Sequence, residues 1–108
     1  MNLEQMIDAL KTDERFMSCV THWHTQPARA PVYAPYPDFV DVRIRQALEK
    51  RGVHALYSHQ ASSVEAVRDG KDIVVVTPTA SGKTICYNIP VLTAILRNQD
   101  SRALYLFP

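Results

Sequence analysis

The sequence has no disulfide framework, no long apolar run, no excess of one charge and no internal repeat, and each absence removes a class of protein. Its two cysteines, Cys19 and Cys86, lie far apart with no C-x-x-C neighbour. That is neither a zinc spacing nor a cross-linking pattern, and free thiols of a cytoplasmic protein are expected. The first twenty residues carry Glu4, Asp8, Lys11, Asp13, Glu14 and Arg15, so neither a signal peptide nor a membrane span is expected there. Twelve Lys plus Arg against eleven Asp plus Glu leave no global field that would draw the chain to nucleic acid or to an anionic membrane. Contact with nucleic acid would have to come from a local surface. With 108 residues, 46% of them hydrophobic, one small core is possible.

What is present is a series of short helical patterns followed by a change of character. Leu3, Met6, Ile7 and Leu10 recur at helical spacing and predict an amphipathic helix over 3–12. Four of the seven prolines fall in "PARAPVYAPYP", residues 27–37, where fixed φ angles and missing N–H groups argue for an extended strap with Tyr33 and Tyr36 as anchors. A second helix is expected from Phe39 to Arg51, with Val40, Ile44, Ala47 and Leu48 inward and Gly52 as its stop. A third begins at "LYSHQ", with Ser58 as N-cap and Gly70 closing it. "DIVVVT" is a continuous β-branched run suited to a strand buried on both faces. A helix over 83–97 follows, with Ile85, Ile89, Leu92 and Leu96 inward and a kink at Pro90. "ALYLF" at 103–107 then completes a right-handed βαβ unit of a parallel sheet.

Between that first strand and its helix lies "TPTASGKT", residues 77–84. It fits the phosphate-loop pattern G-x-x-x-x-G-K-[ST] at Gly82, Lys83 and Thr84, with Thr77 in place of the first glycine. A polyphosphate needs a ring of backbone N–H groups, a positive charge and a cation site, and a strand running into a helix N-terminus supplies the first by geometry. Gly82 lets the backbone pass close to phosphate, Lys83 can reach the β- and γ-phosphates, and the Thr84 hydroxyl can hold Mg²⁺. Ser81 can add a donor. Position 77 only begins the turn, where a β-branched residue is acceptable at negative φ.

These residues resemble a family. "TPTASGKT" is similar to motif I of the superfamily 2 DEAD/DEAH-box helicases, and "LYSHQ", with Gln60 lying 23 residues before Lys83, resembles their Q motif. More narrowly, "RGVHALYSHQ", "VVVTPTASGKTICYNIPVL" and "RALYLFP" resemble the first RecA-like domain of the mitomycin repair factor A, or YprA-like, DNA helicases. The resemblance covers residues 20–108 and implies an N-terminal piece of such a domain. Residues 1–39 would form an N-terminal helix and Pro-rich extended segment, and residues 40–108 a truncated ATP-binding RecA-like domain.

The resemblance further implies ATP and Mg²⁺ as cofactors. Thr77, Thr79, Ala80, Ser81, Gly82, Lys83 and Thr84 would bind the triphosphate, Thr84 would hold the metal, and Gln60 would read adenine. Tyr57, Arg43 or Arg51 could stack on the base, Tyr57 ranking first. "LFP" at 106–108 resembles the opening of motif Ia, which contacts single-stranded DNA. The partner implied for the full-length protein is single-stranded or forked DNA, with a repair role and no membrane. The DExH pair, the second RecA-like domain and its arginine finger are not in these residues, so no catalytic residue is assigned and the fragment alone is expected to be inactive and marginally folded. The alternative is a small non-catalytic nucleotide-binding or adaptor module. His22 and His24 offer two metal ligands without a third, which favours a surface or packing role. Trp23 is expected as a buried anchor rather than a base platform, and His59 as a surface residue.

Overall fold

The structure is a computed structural model that describes residues 1–78 and 82–107. It divides into two compact units, Met1–Ala30 and Pro31–Pro108.

In the first unit, α1 spans Leu3–Thr12, as the spacing predicts. It opens on a reciprocal cap: Asn2 Oδ1 accepts the Gln5 N–H at 2.9 Å and Gln5 Oε1 accepts the Asn2 N–H at 3.1 Å, which satisfies two of the helix's orphan donors. A short α2, Glu14–Met17, was not foreseen. It exists because Asp13 Oδ1 accepts from both the Arg15 and Phe16 N–H groups, at 2.8 and 3.0 Å. Neither helix buries a residue. Trp23 is 39% exposed, not the buried anchor expected, and the Lys11 ammonium lies 5.2 Å from its ring centroid. The rings of His22 and His24 lie parallel at 6.2 Å, and no group of three or more potential metal ligands occurs among the described residues.

The second unit contains β1 (Tyr33–Ala34), α3 (Val42–Lys50), β2 (Leu56–Tyr57), α4 (Ser58–Arg68) and α5 (Lys83–Arg97). β1 and β2 pair antiparallel with Tyr33 opposite Tyr57 and Ala34 opposite Leu56, and the Ser58 N–H extends the pairing to the Val32 carbonyl at 2.9 Å. The core is Tyr36, Val40, Ile44, Leu56, Ala61, Val64 and Ile89. Leu56 is completely buried; such burial stabilises by roughly 1.5–3 kcal/mol. Tyr36 donates its hydroxyl to the Val53 carbonyl at 2.7 Å, which fastens the segment after β1 to the loop after α3.

The described residues depart from several expectations or leave them unformed. The parallel sheet is not formed among the described residues, whose one sheet is the antiparallel β1–β2 pair. A strand buried on both faces needs hydrogen-bonded neighbours and cover on each side; here Val74 and Val76 are 90% and 88% exposed and Leu104 and Leu106 are likewise open. Burial along 73–77 instead alternates, Ile73, Val75 and Thr77 being partly covered. Ser58 is the first residue of α4 rather than its cap: the chain arrives extended at Tyr57, and the Gln60 side chain accepts the Tyr57 N–H at 2.8 Å. α5 turns Cys86 and Ile89 into the core while Leu92 and Leu96 stay exposed. It runs unbroken through Pro90, forgoing one backbone hydrogen bond to the carbonyl four residues earlier. On α3, Ala47 is exposed although Ile44 is buried.

Candidate nucleotide-binding site

The site is assembled where two helices begin. α4 starts just after Tyr57 and α5 just after Gly82, and the Gln60 side chain reaches from one start to the other. Its Oε1 accepts the Tyr57 N–H and its Nε2 donates to the Gly82 carbonyl, each at 2.8 Å. Two helix N-termini bridged by one side chain bring two positive dipole ends to the same place, which favours an anion.

Gly82 stands in the left-handed region at φ 74°, a conformation costly to any residue with a Cβ. Its carbonyl also accepts the Ile85 N–H at 3.2 Å, which starts the first turn of α5. Lys83 follows as the first helical residue; its ammonium is exposed and donates to the Thr77 carbonyl at 2.9 Å. The lysine side chain thus reaches back from the start of α5 to position 77. Thr84 is exposed, with its hydroxyl 3.5 Å from that of Tyr87. Thr79, Ala80 and Ser81 lie outside the described residues.

Tyr57 is half-buried and stacked. Its ring centroid lies 5.3 Å from that of Tyr33 and 5.8 Å from that of His59, with interplanar angles of 12° and 9°. The pairing of Tyr33 with Tyr57 follows from the β1–β2 register, in which the two are direct cross-strand partners. Sequence reasoning named both tyrosines but not their contact; the proline-rich strap gave no sign of which strand it would meet. The two arginines named beside Tyr57 are otherwise placed. Arg43 is held in a fork by Asp41, with Nε–Oδ1 at 3.0 Å and Nη2–Oδ2 at 2.8 Å, and this hydrogen bonding, aided by the Arg43 backbone N–H, brings the Asp41 carboxyl down to about 2. Arg51 is exposed at the end of α3.

A cleft of about 290 Å³ lined by Ile73, Val75, Lys83, Cys86 and Tyr87 adjoins the lysine. A larger one, about 370 Å³, lies against Tyr36, Phe39 and Arg68. Its lining includes Asp38 and Glu65, and Arg68 is engaged with the Phe39 ring and Asp69, so a triphosphate is disfavoured there. The loop, not the larger cleft, has the chemistry for phosphate.

Residues 57–108 match the model of the DEAD/DEAH box helicase family. Over 107 residues the chain is 48% identical to the uncharacterized ATP-dependent helicase YprA of Bacillus subtilis (strain 168), covering 99% of this chain and 14% of that protein. It is 37% identical over 70 residues to the ATP-dependent DNA helicase Hel308 of Thermococcus kodakarensis, covering 64% of this chain and 6% of Hel308. The crystal structure of the DUF1998 helicase MrfA bound to DNA and AMPPNP superposes with a TM-score of 0.87 at 47% identity, over 100% of this chain and 15% of that one. The chain therefore spans about a seventh of the length of YprA and MrfA, and its fold is that of the N-terminal part of a RecA-like helicase domain. The chain belongs to the DEAD/DEAH box helicase family.

Proposed function

We propose that this chain is the ATP-binding N-terminal part of an ATP-dependent DNA helicase, with residues 40–108 forming the nucleotide-binding segment and residues 1–39 preceding it. The observation that carries the reading is the convergence at the head of α5: Lys83 reaching back across the loop to Thr77 and Gln60 bonded to Gly82. These groups fit Mg-ATP. An exposed ammonium at a helix N-terminus attracts the β- and γ-phosphates, and an exposed threonine hydroxyl is a suitable hard ligand for Mg²⁺, which takes its remaining oxygens from phosphate and water. Thr77, Thr79, Ala80 and Ser81 complete the loop in this reading. Bound Mg-ATP would supply the phosphoanhydride whose hydrolysis drives movement on nucleic acid.

Gln60 is assigned to adenine and Tyr57 to the base-stacking wall, its ring lying nearly parallel to those of Tyr33 and His59. The partner is DNA, single-stranded or forked, acting in the cytoplasm and in repair. DNA as the partner is supported by the description of Hel308 as a DNA helicase and by the MrfA structure containing DNA; its single-stranded or forked form, the cytoplasmic setting and the repair role rest on the resemblance of the motifs. The parallel arrangement of 72–77 and 103–107 in a completed sheet belongs to the same reading. Among the described residues no helix is long and apolar enough to cross a membrane.

The test is calorimetric titration of Mg-ATP into the chain and into its Lys83→Ala variant. Lys83-dependent binding supports the proposal. Equal affinity in both would place the nucleotide elsewhere and sink this site.

A further inference from the structure

A carboxamide has two N–H donors and two acceptor lone pairs on its oxygen. In Gln60 one of each is already used inside the protein, on Gly82 and Tyr57, and the side chain is only 2% exposed. A residue whose whole task was to read a base would be held open toward the base. Gln60 is instead buried between the starts of α4 and α5.

The packing at Gly82 points the same way. A Cβ built on this glycine would collide with Gln60 Nε2, so the amide lies flush against the backbone at the loop's exit. α5 has no side-chain cap of its own at Gly82. The Gly82 carbonyl accepts from Ile85 and from Gln60 together, and the next two residues are Lys83 and Thr84, the two that would meet phosphate and metal. Whatever fixes the Gly82 carbonyl fixes where those two side chains begin.

We propose that Gln60 is a positioning residue that braces the exit of the phosphate loop, holding Gly82 in its left-handed turn and the first turn of α5 in place before any base is bound. The inference rests on the nucleotide-binding reading above and extends it: Gln60 contributes to affinity for the triphosphate itself, not only for adenine.

The test uses Gln60→Glu, nearly isosteric, with Gln60→Ala beside it and urea midpoints to show that both fold. The glutamate keeps an acceptor for the Tyr57 N–H but turns an unprotonated oxygen toward the Gly82 carbonyl. Affinities for Mg-ATP, Mg-GTP and Mg-tripolyphosphate are measured by calorimetry, and exchange of the Ile85 amide is followed without ligand. Losing this buried hydrogen bond is expected to weaken all three ligands by about tenfold, tripolyphosphate included, and to speed Ile85 exchange. The glutamate carboxyl, desolvated and facing a carbonyl, should have a raised pKa, so lowering the pH should restore affinity relative to the unsubstituted chain. Loss of ATP affinity with tripolyphosphate affinity intact would overturn the brace and leave Gln60 a base reader. Unchanged Ile85 exchange in Gln60→Glu would also overturn it. An unsubstituted chain that binds none of the three ligands would overturn the nucleotide reading itself; because the exchange measurement needs no ligand, the two failures are distinguishable.

Discussion

Gly82 and Gln60, 22 residues apart in sequence, fit so closely that a single added carbon on the glycine would occupy the space of the glutamine amide nitrogen. The phosphate-loop pattern explains a glycine here by the approach of the ligand; the fold adds two reasons that operate without ligand, the φ of 74° and the neighbouring amide. Gly82→Ala should therefore destabilise the chain by about 1–2 kcal/mol from the left-handed conformation alone, with the displacement of Gln60 adding to it. Urea unfolding and Mg-ATP calorimetry check this together. A variant as stable as the parent would show that the turn relaxes and that the contact imposes nothing.

Lys83→Ala should separate binding from folding. The ammonium is exposed and its bond to the Thr77 carbonyl closes only a surface loop, so unfolding free energy should change by no more than about 0.5 kcal/mol, as at other surface positions. Mg-ATP affinity should disappear. A large fall in stability would mean that the lysine is holding the loop together and would move it from the binding group to the scaffold.

Asp41 caps α3 through the Arg43 N–H at 2.8 Å and pairs with the Arg43 guanidinium. Its carboxyl is lowered to about 2 from the usual 3.8. A folded-state pKa below the unfolded one gives stability that is present above pH 3.8 and lost as pH falls toward 2. Asp41→Asn keeps a competent N-cap but has nothing to titrate. Its stability should therefore be flatter than the parent's through that acid window, compared by thermal melts at matched pH. Parallel acid profiles would remove Asp41 as a contributor.

Much of this was legible in the sequence where local chemistry decides. The bounds of α1 and α5 follow from Asn2 and Gly82, and Gly52 and Gly70 do adopt positive φ where stops were expected. α2 was not legible, since four residues hang on one aspartate. The face of α5 is not read from "ICYNIPVLTAIL" because that run is apolar on nearly every side; which stripe enters the core is settled by α4, whose Ala61 and Val64 share the core cluster with Ile89, and not by period. "DIVVVT" and "ALYLF" show the same limit in sheet form: β-branched runs state that a segment suits burial, whereas pairing depends on partners that no local pattern names. At the site, Gly82 and Lys83 could be picked out by the phosphate-loop pattern, and Gln60 by the resemblance of "LYSHQ" to the Q motif. That Gln60 would bond to Gly82 could not, because the contact depends on how α4 and α5 come together; nor could the bond of Lys83 to Thr77, which depends on where position 77 lies against the start of α5.

Tyr36 gives the sharpest stability test, because its hydroxyl is both a structural donor and a titrating group. The hydroxyl bonds to the Val53 carbonyl at 2.7 Å, and Tyr36→Phe should cost about 1 kcal/mol near neutral pH. Burial, then the nearby Glu49 carboxylate, push its pKa above the ordinary 10.0, while the Arg45 guanidinium over its ring opposes them. A tyrosine whose folded pKa is raised is protonated in the fold at a pH where the unfolded chain would release the proton. Its stabilisation is thus complete below pH 10 and is lost as pH rises through the folded value. Tyr36→Phe has no such loss, and the two chains otherwise carry the same groups. The stability gap between parent and variant should therefore shrink above pH 10, and urea midpoints taken from pH 7 to 11 would reveal it. A constant gap would mean that the hydroxyl stays solvated in the fold and that the bond to Val53 does not fasten the strap.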